Sequence, residues 1–161
     1  MNITILCVGK LKENYWKDAI AEYAKRLSKY VKFEIIEVED EKMAEKERGN
    51  DTLEQLAMEK EAIRMEKYIK ENTHLVALAI EGKKYDSVAF SKKIESIGLS
   101  GSSHITFIIG GSLGIFDALK RRCNDKISFS DMTFPHQMMR VILVEQIYRA
   151  YRIMNNEPYH K

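Results

Sequence analysis

His104-Ile105-Thr106-Phe107-Ile108-Ile109-Gly110-Gly111-Ser112-Leu113-Gly114 decides the fold class. Six mostly apolar residues, short enough for a strand, run directly into a glycine cluster that turns the chain toward a helix. A strand apolar on both faces is one covered on both faces, which is the habit of parallel sheets. The same pattern recurs outward from this stretch. Upstream, Ile3 to Val8 is an apolar run closed by Gly9-Lys10, Phe33 to Val38 alternates weakly, and His74 to Ile80 is almost unbroken. Downstream, Lys126 to Ser130 forms a fifth strand.

Helical periodicity fills the intervals. Tyr15, Trp16, Ala19, Ile20, Tyr23, Leu27 and Tyr30 share one face of a helix over roughly 13–30. Residues 39–50 are mostly charged and read as a solvated loop. Thr52 and Gln55 have capping-box spacing at the head of a helix reaching about Glu71. The segment Glu81 to Asp86 reads as a turn, Ser87 as an N-cap, and Gly98 as the stop of a helix carrying Val88, Phe90, Ile94 and Ile97. A short helix spans about Ile115 to Cys123, and a long one about His136 to Asn155. Strands alternating with helices predict an α/β fold, a mainly parallel sheet with helices on both faces, built as one domain over 1–161.

The 161 residues are 45% hydrophobic and 31% charged, the balance of a globular protein with a real core. A net charge of +2 permits an RNA partner without requiring one. Two cysteines and four widely spaced histidines exclude a disulfide framework and a recognisable zinc site, so no metal is expected. The longest apolar runs fall short of the roughly 18–20 residues that span a bilayer, and the N-terminus lacks signal-peptide features. The expectation is a cytoplasmic protein with no membrane partner. From Met138 to Met154 the last helix is apolar well beyond a single stripe. It needs a second cover besides the sheet: a homodimer partner is the economical one, burial within the subunit the other.

Four places carry candidate chemistry. Gly110, Gly111 and Gly114 let backbone approach a ligand, yet equally suit a ligand-free turn, and they match neither a dinucleotide nor a Walker motif. Glu81-Gly82 follows another buried strand, at the sheet end where open parallel sheets bind ligands. The stretch Phe129-Ser130-Asp131-Met132-Thr133-Phe134-Pro135-His136 is apolar but studded with polar groups, and such a wall suits adenine. His136 and Arg140, four apart, project from one helix face; singly each also reads as an ordinary helix-end histidine or ion-pair arginine. Finally Asn155-Asn156-Glu157-Pro158-Tyr159-His160-Lys161 reads either as a solvated tail or as a segment whose Tyr and His stack on a base while its Lys meets phosphate.

At Ile109-Gly110-Gly111-Ser112, Ser128-Phe129-Ser130 to Pro135-His136 and Pro158-Tyr159-His160, the chain resembles the RlmH-type SPOUT methyltransferases over essentially its whole length. The resemblance implies a C-terminal trefoil knot and a homodimer packed through the knot and the last helix. It implies S-adenosylmethionine as methyl donor, held by Leu78 to Gly82 (with Glu81), Gly110 to Gly114, and Phe129 to Phe134. It implies methylation of N3 of a pseudouridine in 23S ribosomal RNA, with the assembled ribosome as the fitting substrate. His136, Arg140, Tyr159 and His160 are then the candidate catalytic residues, the tail coming across the dimer. A dinucleotide-dependent oxidoreductase and a non-enzymatic ribosome-binding factor are the competing readings.

Overall fold

The computed structural model describes all residues 1–161. Its elements are β1 (Asn2–Val8), α1 (Asn14–Leu27), β2 (Lys32–Val38), α2 (Asp51–Glu66), β3 (His74–Lys84), α3 (Ser87–Leu99), β4 (His104–Ile109), α4 (Asp117–Arg122), β5 (Asp125–Ser128) and α5 (His136–Met154). A single 3-10 turn, Glu45–Glu47, interrupts the charged 39–50 segment. The five strands form one sheet in the order β2-β1-β4-β3-β5, every pair parallel. This is the α/β fold that the alternation predicts.

Strand pleating divides the core. Ile3, Ile5 and Cys7 of β1 join Ile105, Phe107 and Ile109 of β4 on one face, beneath α1, α3 and α5. Leu6, Val8 and Ile108 point the other way, beneath α2 and α4. The connections running toward β2 or back to β4 lie over the first face, and those running toward β3 and β5 over the second. A single hand of crossover requires that arrangement. The connections leaving β1 and β4 therefore diverge to opposite sides at their shared border, leaving a crevice at the carboxyl ends of those two strands.

Several local expectations are corrected. Residues 81–84 are strand rather than turn: β3 runs on to Lys84, pairing with β5 on both sides of a register break, so that Ile127 faces both Leu78 and Lys83. Only glycine fits at 82, where a Cβ would lie 2.6 Å from the Ile127 carbonyl carbon. Asn50, not Thr52, caps α2, its Oδ1 accepting from the Leu53 amide at 3.2 Å. Asp86, not Ser87, caps α3, accepting from the Ala89 amide at 2.6 Å. A side chain further out, by two residues in α2 and one in α3, reaches the free amides better. Gly98 sits inside α3, and the left-handed residue past its end is Gly101, at φ +96°.

Helix α5 lies between α1 and α3 as well as on the sheet, so two neighbouring helices of the same subunit cover much of its surplus apolar surface. Leu143, Val144, Ile147, Tyr148 and Ala150 are buried this way, while Met138, Val141, Ile142 and Ile153 stay half-buried. No helix is long and apolar enough to cross a membrane.

Candidate active site

Three segments, one in the middle of β3 and two at the carboxyl ends of β4 and β5, converge around a mostly apolar cavity of about 310 Å³. They are Leu78 to Ile80, Ile109 to Ile115, and Ile127 to Phe134 without Asp131, with His136 and Met139 of α5 completing the wall. The middle segment is a glycine turn for steric reasons. A Cβ on Gly110 would fall 2.4 Å from the carbonyl carbon of Gly114, which is itself at φ +92°. Its amide donates to the Gly111 carbonyl at 3.1 Å, closing the turn. The third segment is held by serines: Ser128 Oγ donates to the Ser130 carbonyl at 3.0 Å, and Ser130 Oγ accepts from the Met132 amide at 2.9 Å. The Phe129 ring stands edge-on to Phe90, 6.1 Å between centroids.

Of the residues expected around a donor, Leu78, Gly110, Gly111, Gly114, Phe129, Ser130, Met132, Thr133 and Phe134 line this cavity. Three do not. Glu81 is drawn away by Lys120, whose Nζ lies 2.6 Å from its carboxylate and holds it below the usual carboxylate range. Gly82 is pressed against the β5 backbone, and Asp131 is exposed and paired with Lys84. Ile109, Ile115, Ile127 and Met139 also form the wall; as apolar residues in core elements they carry no sequence signal of such a role.

His136, the first residue of α5, lines this cavity and a second, polar one of about 690 Å³ beside Val8 and Gly9. Burial, then the positive charge of Arg140, holds its imidazole below the ordinary histidine value. Arg140 itself is fully buried. Its Nη2 donates to the carbonyls of Val8 at 2.7 Å and Gly9 at 2.9 Å, and its Nη1 is 3.9 Å from a Glu37 carboxylate oxygen. That carboxylate in turn accepts from the Leu11 amide at 3.0 Å. The guanidinium thus braces the β1–α1 turn beneath His136.

The C-terminal tail folds back along α5. The Tyr159 hydroxyl donates to Glu145 at 3.0 Å, its ring meets Tyr148 edge-on at 5.0 Å, and the Arg149 guanidinium lies 4.6 Å from its centroid. Glu157 is anchored by Lys29, Tyr30 and Arg152. His160 is exposed at a third cavity of about 420 Å³, along Phe90, Phe129 and Gln146. Within one subunit, therefore, His136 and Arg140 come together while Tyr159 and His160 lie elsewhere. No group of three His, Cys, Asp or Glu side chains is placed to hold a metal ion.

Comparison with known proteins agrees with this geometry. The family model described as "Predicted SPOUT methyltransferase" matches residues 1–160. The chain is 53% identical over 161 residues to the ribosomal RNA large subunit methyltransferase H of Clostridium acetobutylicum, and 54% identical to that of Bifidobacterium adolescentis, covering all of each chain. It shares its fold, at a TM-score of 0.54 and 11% identity, with a solved structure described as a probable methylase family protein from Haemophilus influenzae Rd KW20. That alignment covers 99% of this chain and 70% of the other. A three-segment cavity along β3, β4 and β5, and full-length likeness to these enzymes, lead to one conclusion: the chain belongs to the SPOUT methyltransferases, in their RlmH-type branch.

Proposed function

We propose that the protein transfers a methyl group from S-adenosylmethionine to N3 of a pseudouridine in the 23S RNA of the assembled ribosome, acting as a homodimer in the cytoplasm. The observation that carries this reading is the convergence of Leu78–Ile80, Gly110–Gly114 and Phe129–Phe134 on one cavity. Its volume of about 310 Å³ and apolar lining fit a cofactor whose adenine needs flat apolar faces and backbone partners. The tightly closed glycine turn presents backbone with few side chains to this cavity, which supports the close approach that such a ligand uses. When bound, the sulfonium supplies an already activated methyl group, so no metal or covalent enzyme intermediate is called for.

The side chains then have two tasks: holding the base in line and removing the N3 proton. His136 is kept neutral by burial and by Arg140, and a neutral imidazole can accept that proton. Arg140 acts as a positioning residue, fixing the Val8–Gly9 turn, and its charge favours the anionic base. Tyr159 and His160 reach the base from the partner subunit, because within one subunit His160 lies by a different cavity and Tyr159 packs against α5. The half-buried apolar residues of α5 are the surface for that partner. A C-terminal trefoil knot belongs to the same reading. The course of the chain supports it: it passes from edge strand β5, beside the β3 extension, back to His136 near Gly9.

The test uses ribosomes lacking the modification, labelled S-adenosylmethionine and the purified protein, with free ribosomal RNA in parallel, followed by mass spectrometry. One methyl on a single pseudouridine, with ribosomes only, is expected. Ribosome binding without transfer would overturn the reading.

A further inference from the structure

The polar cavity beside His136 occupies the crevice between the carboxyl ends of β1 and β4, where the chain connections diverge. Open α/β sheets bind ligands in such a crevice. It shares Gly111, Ser112, Leu113 and His136 with the apolar cavity, so a group seated in one faces a group seated in the other. Its charges are asymmetrically engaged. Lys10, Lys12, Lys42 and Arg48 line it without any ion pair, whereas Glu41 is held by Lys60 and Arg64, and Glu54 accepts the Gly49 amide at 2.8 Å. Asp40 and Glu61 also line it without an ion pair, so four free cations face two free carboxylates, a balance that suits a polyanion such as RNA.

Glu61 stands apart in this lining. It is only 6% exposed, on the inner face of α2, and no cation lies within ion-pair distance. Its Oε1 accepts from the Glu41 amide at 3.0 Å; Oε2 makes no hydrogen bond within the protein and lies against Gly111, the residue common to both cavities. The residue is almost wholly enclosed, yet this oxygen opens on the cavity and is free to accept a hydrogen bond from a ligand seated there.

We propose that the polar cavity seats the target nucleotide and that Glu61 accepts a hydrogen bond from the N–H of the base that is not methylated. This rests on the pseudouridine reading above. A C-linked uracil has two N–H groups, N1–H and N3–H, whereas uridine carries its ribose on N1 and presents a C5–H at the equivalent edge. With N3 turned to the apolar cavity, an acceptor at N1–H reads the difference between the two nucleosides. Glu61 is thus a specificity-determining residue, and the four rim cations are its phosphate-side complement.

The experiment compares methyl transfer to ribosomes carrying pseudouridine at the target and to matched ribosomes carrying uridine there. The proteins are the full-length chain, Glu61→Gln and Arg64→Ala, with S-adenosylmethionine affinity measured alongside. The unaltered chain should prefer pseudouridine by at least ~100-fold, since sites built around a donor reject analogues lacking it. In Glu61→Gln the amide oxygen stays with Glu41 N–H and the NH₂ opposes N1–H. Transfer to pseudouridine should therefore fall about 100-fold to the uridine level, with donor affinity held within about threefold. Arg64→Ala loosens the same 39–41 segment without touching the carboxylate, and should preserve the preference. The proposal is overturned if the unaltered chain methylates both ribosomes equally, if Glu61→Gln keeps the preference, or if its donor affinity falls in step with transfer. No transfer at all by the unaltered chain would instead strike the proposed function.

Discussion

Arg140 Nη2 sits 2.7 Å from the Val8 carbonyl oxygen, although 132 residues separate the two in sequence. One side-chain nitrogen thereby ties the mouth of β1 to the first turns of α5, and the side chain is entirely buried. Arg140→Met would leave the buried Val8 carbonyl and the half-buried Gly9 carbonyl without this donor and should cost about 3 kcal/mol. Urea unfolding measures this directly, and an unchanged midpoint would deny the brace.

Two glycines are required by backbone contact, and only one of them lines the cavity. A Cβ at Gly82 would lie 2.6 Å from β5 backbone, and one at Gly110 would lie 2.4 Å from the backbone of Gly114. Gly82→Ala should destabilise the β3–β5 pair by about 3 kcal/mol, read from thermal unfolding. Gly110→Ala, with the closer contact, should cost at least as much stability and, by displacing the turn that lines the cavity, weaken S-adenosylmethionine binding at least ~10-fold by calorimetry.

The pH dependence follows from two histidines. His104 and His136 are both held below the ordinary value of about 6.5, mainly by burial. The unfolded chain therefore binds their protons first, so stability is full above about pH 6.5 and declines as pH falls through the depressed folded values. Transfer should be flat above neutrality and fall with acid as His136 protonates. His136→Asn should remove that acid limb, whereas His104→Asn should change only the stability curve. A limb that survives His136→Asn would assign the proton to another group.

Neither thiol should react in the native state. Burial pushes Cys7 up to about 12 and Cys123 up to about 11, leaving almost no thiolate near neutrality. Iodoacetamide at pH 7.5 should label neither residue in the folded protein and both in urea, as counted by intact-mass spectrometry.

Much of the fold was legible because burial on both faces of a parallel sheet demands unbroken apolar runs. Ile3 to Val8, His74 to Ile80 and His104 to Ile109 announce themselves that way. Lys83 and Lys84 do not. They extend β3 only because short β5 lies beside them, and their charged side chains reach solvent from an edge. The apolar excess of α5 was visible too, but not that α1 and α3 flank it. Among candidate site residues, the glycine turn and the 129–134 stretch showed themselves through composition. Glu61 did not, since one of four glutamates on a charge-rich helix looks like any solvated one.

The sequence by itself determined the alternation of strands and helices, the glycine turn after β4, and the family resemblance, because local sterics and periodicity act within a few residues. Tertiary structure alone decided three things: the strand order that opens a crevice between β1 and β4, the burial of Arg140 and Glu61, and the placing of His136 between two cavities. Those depend on partners tens of residues away, and a charged side chain's surroundings, not its type, set what it can do.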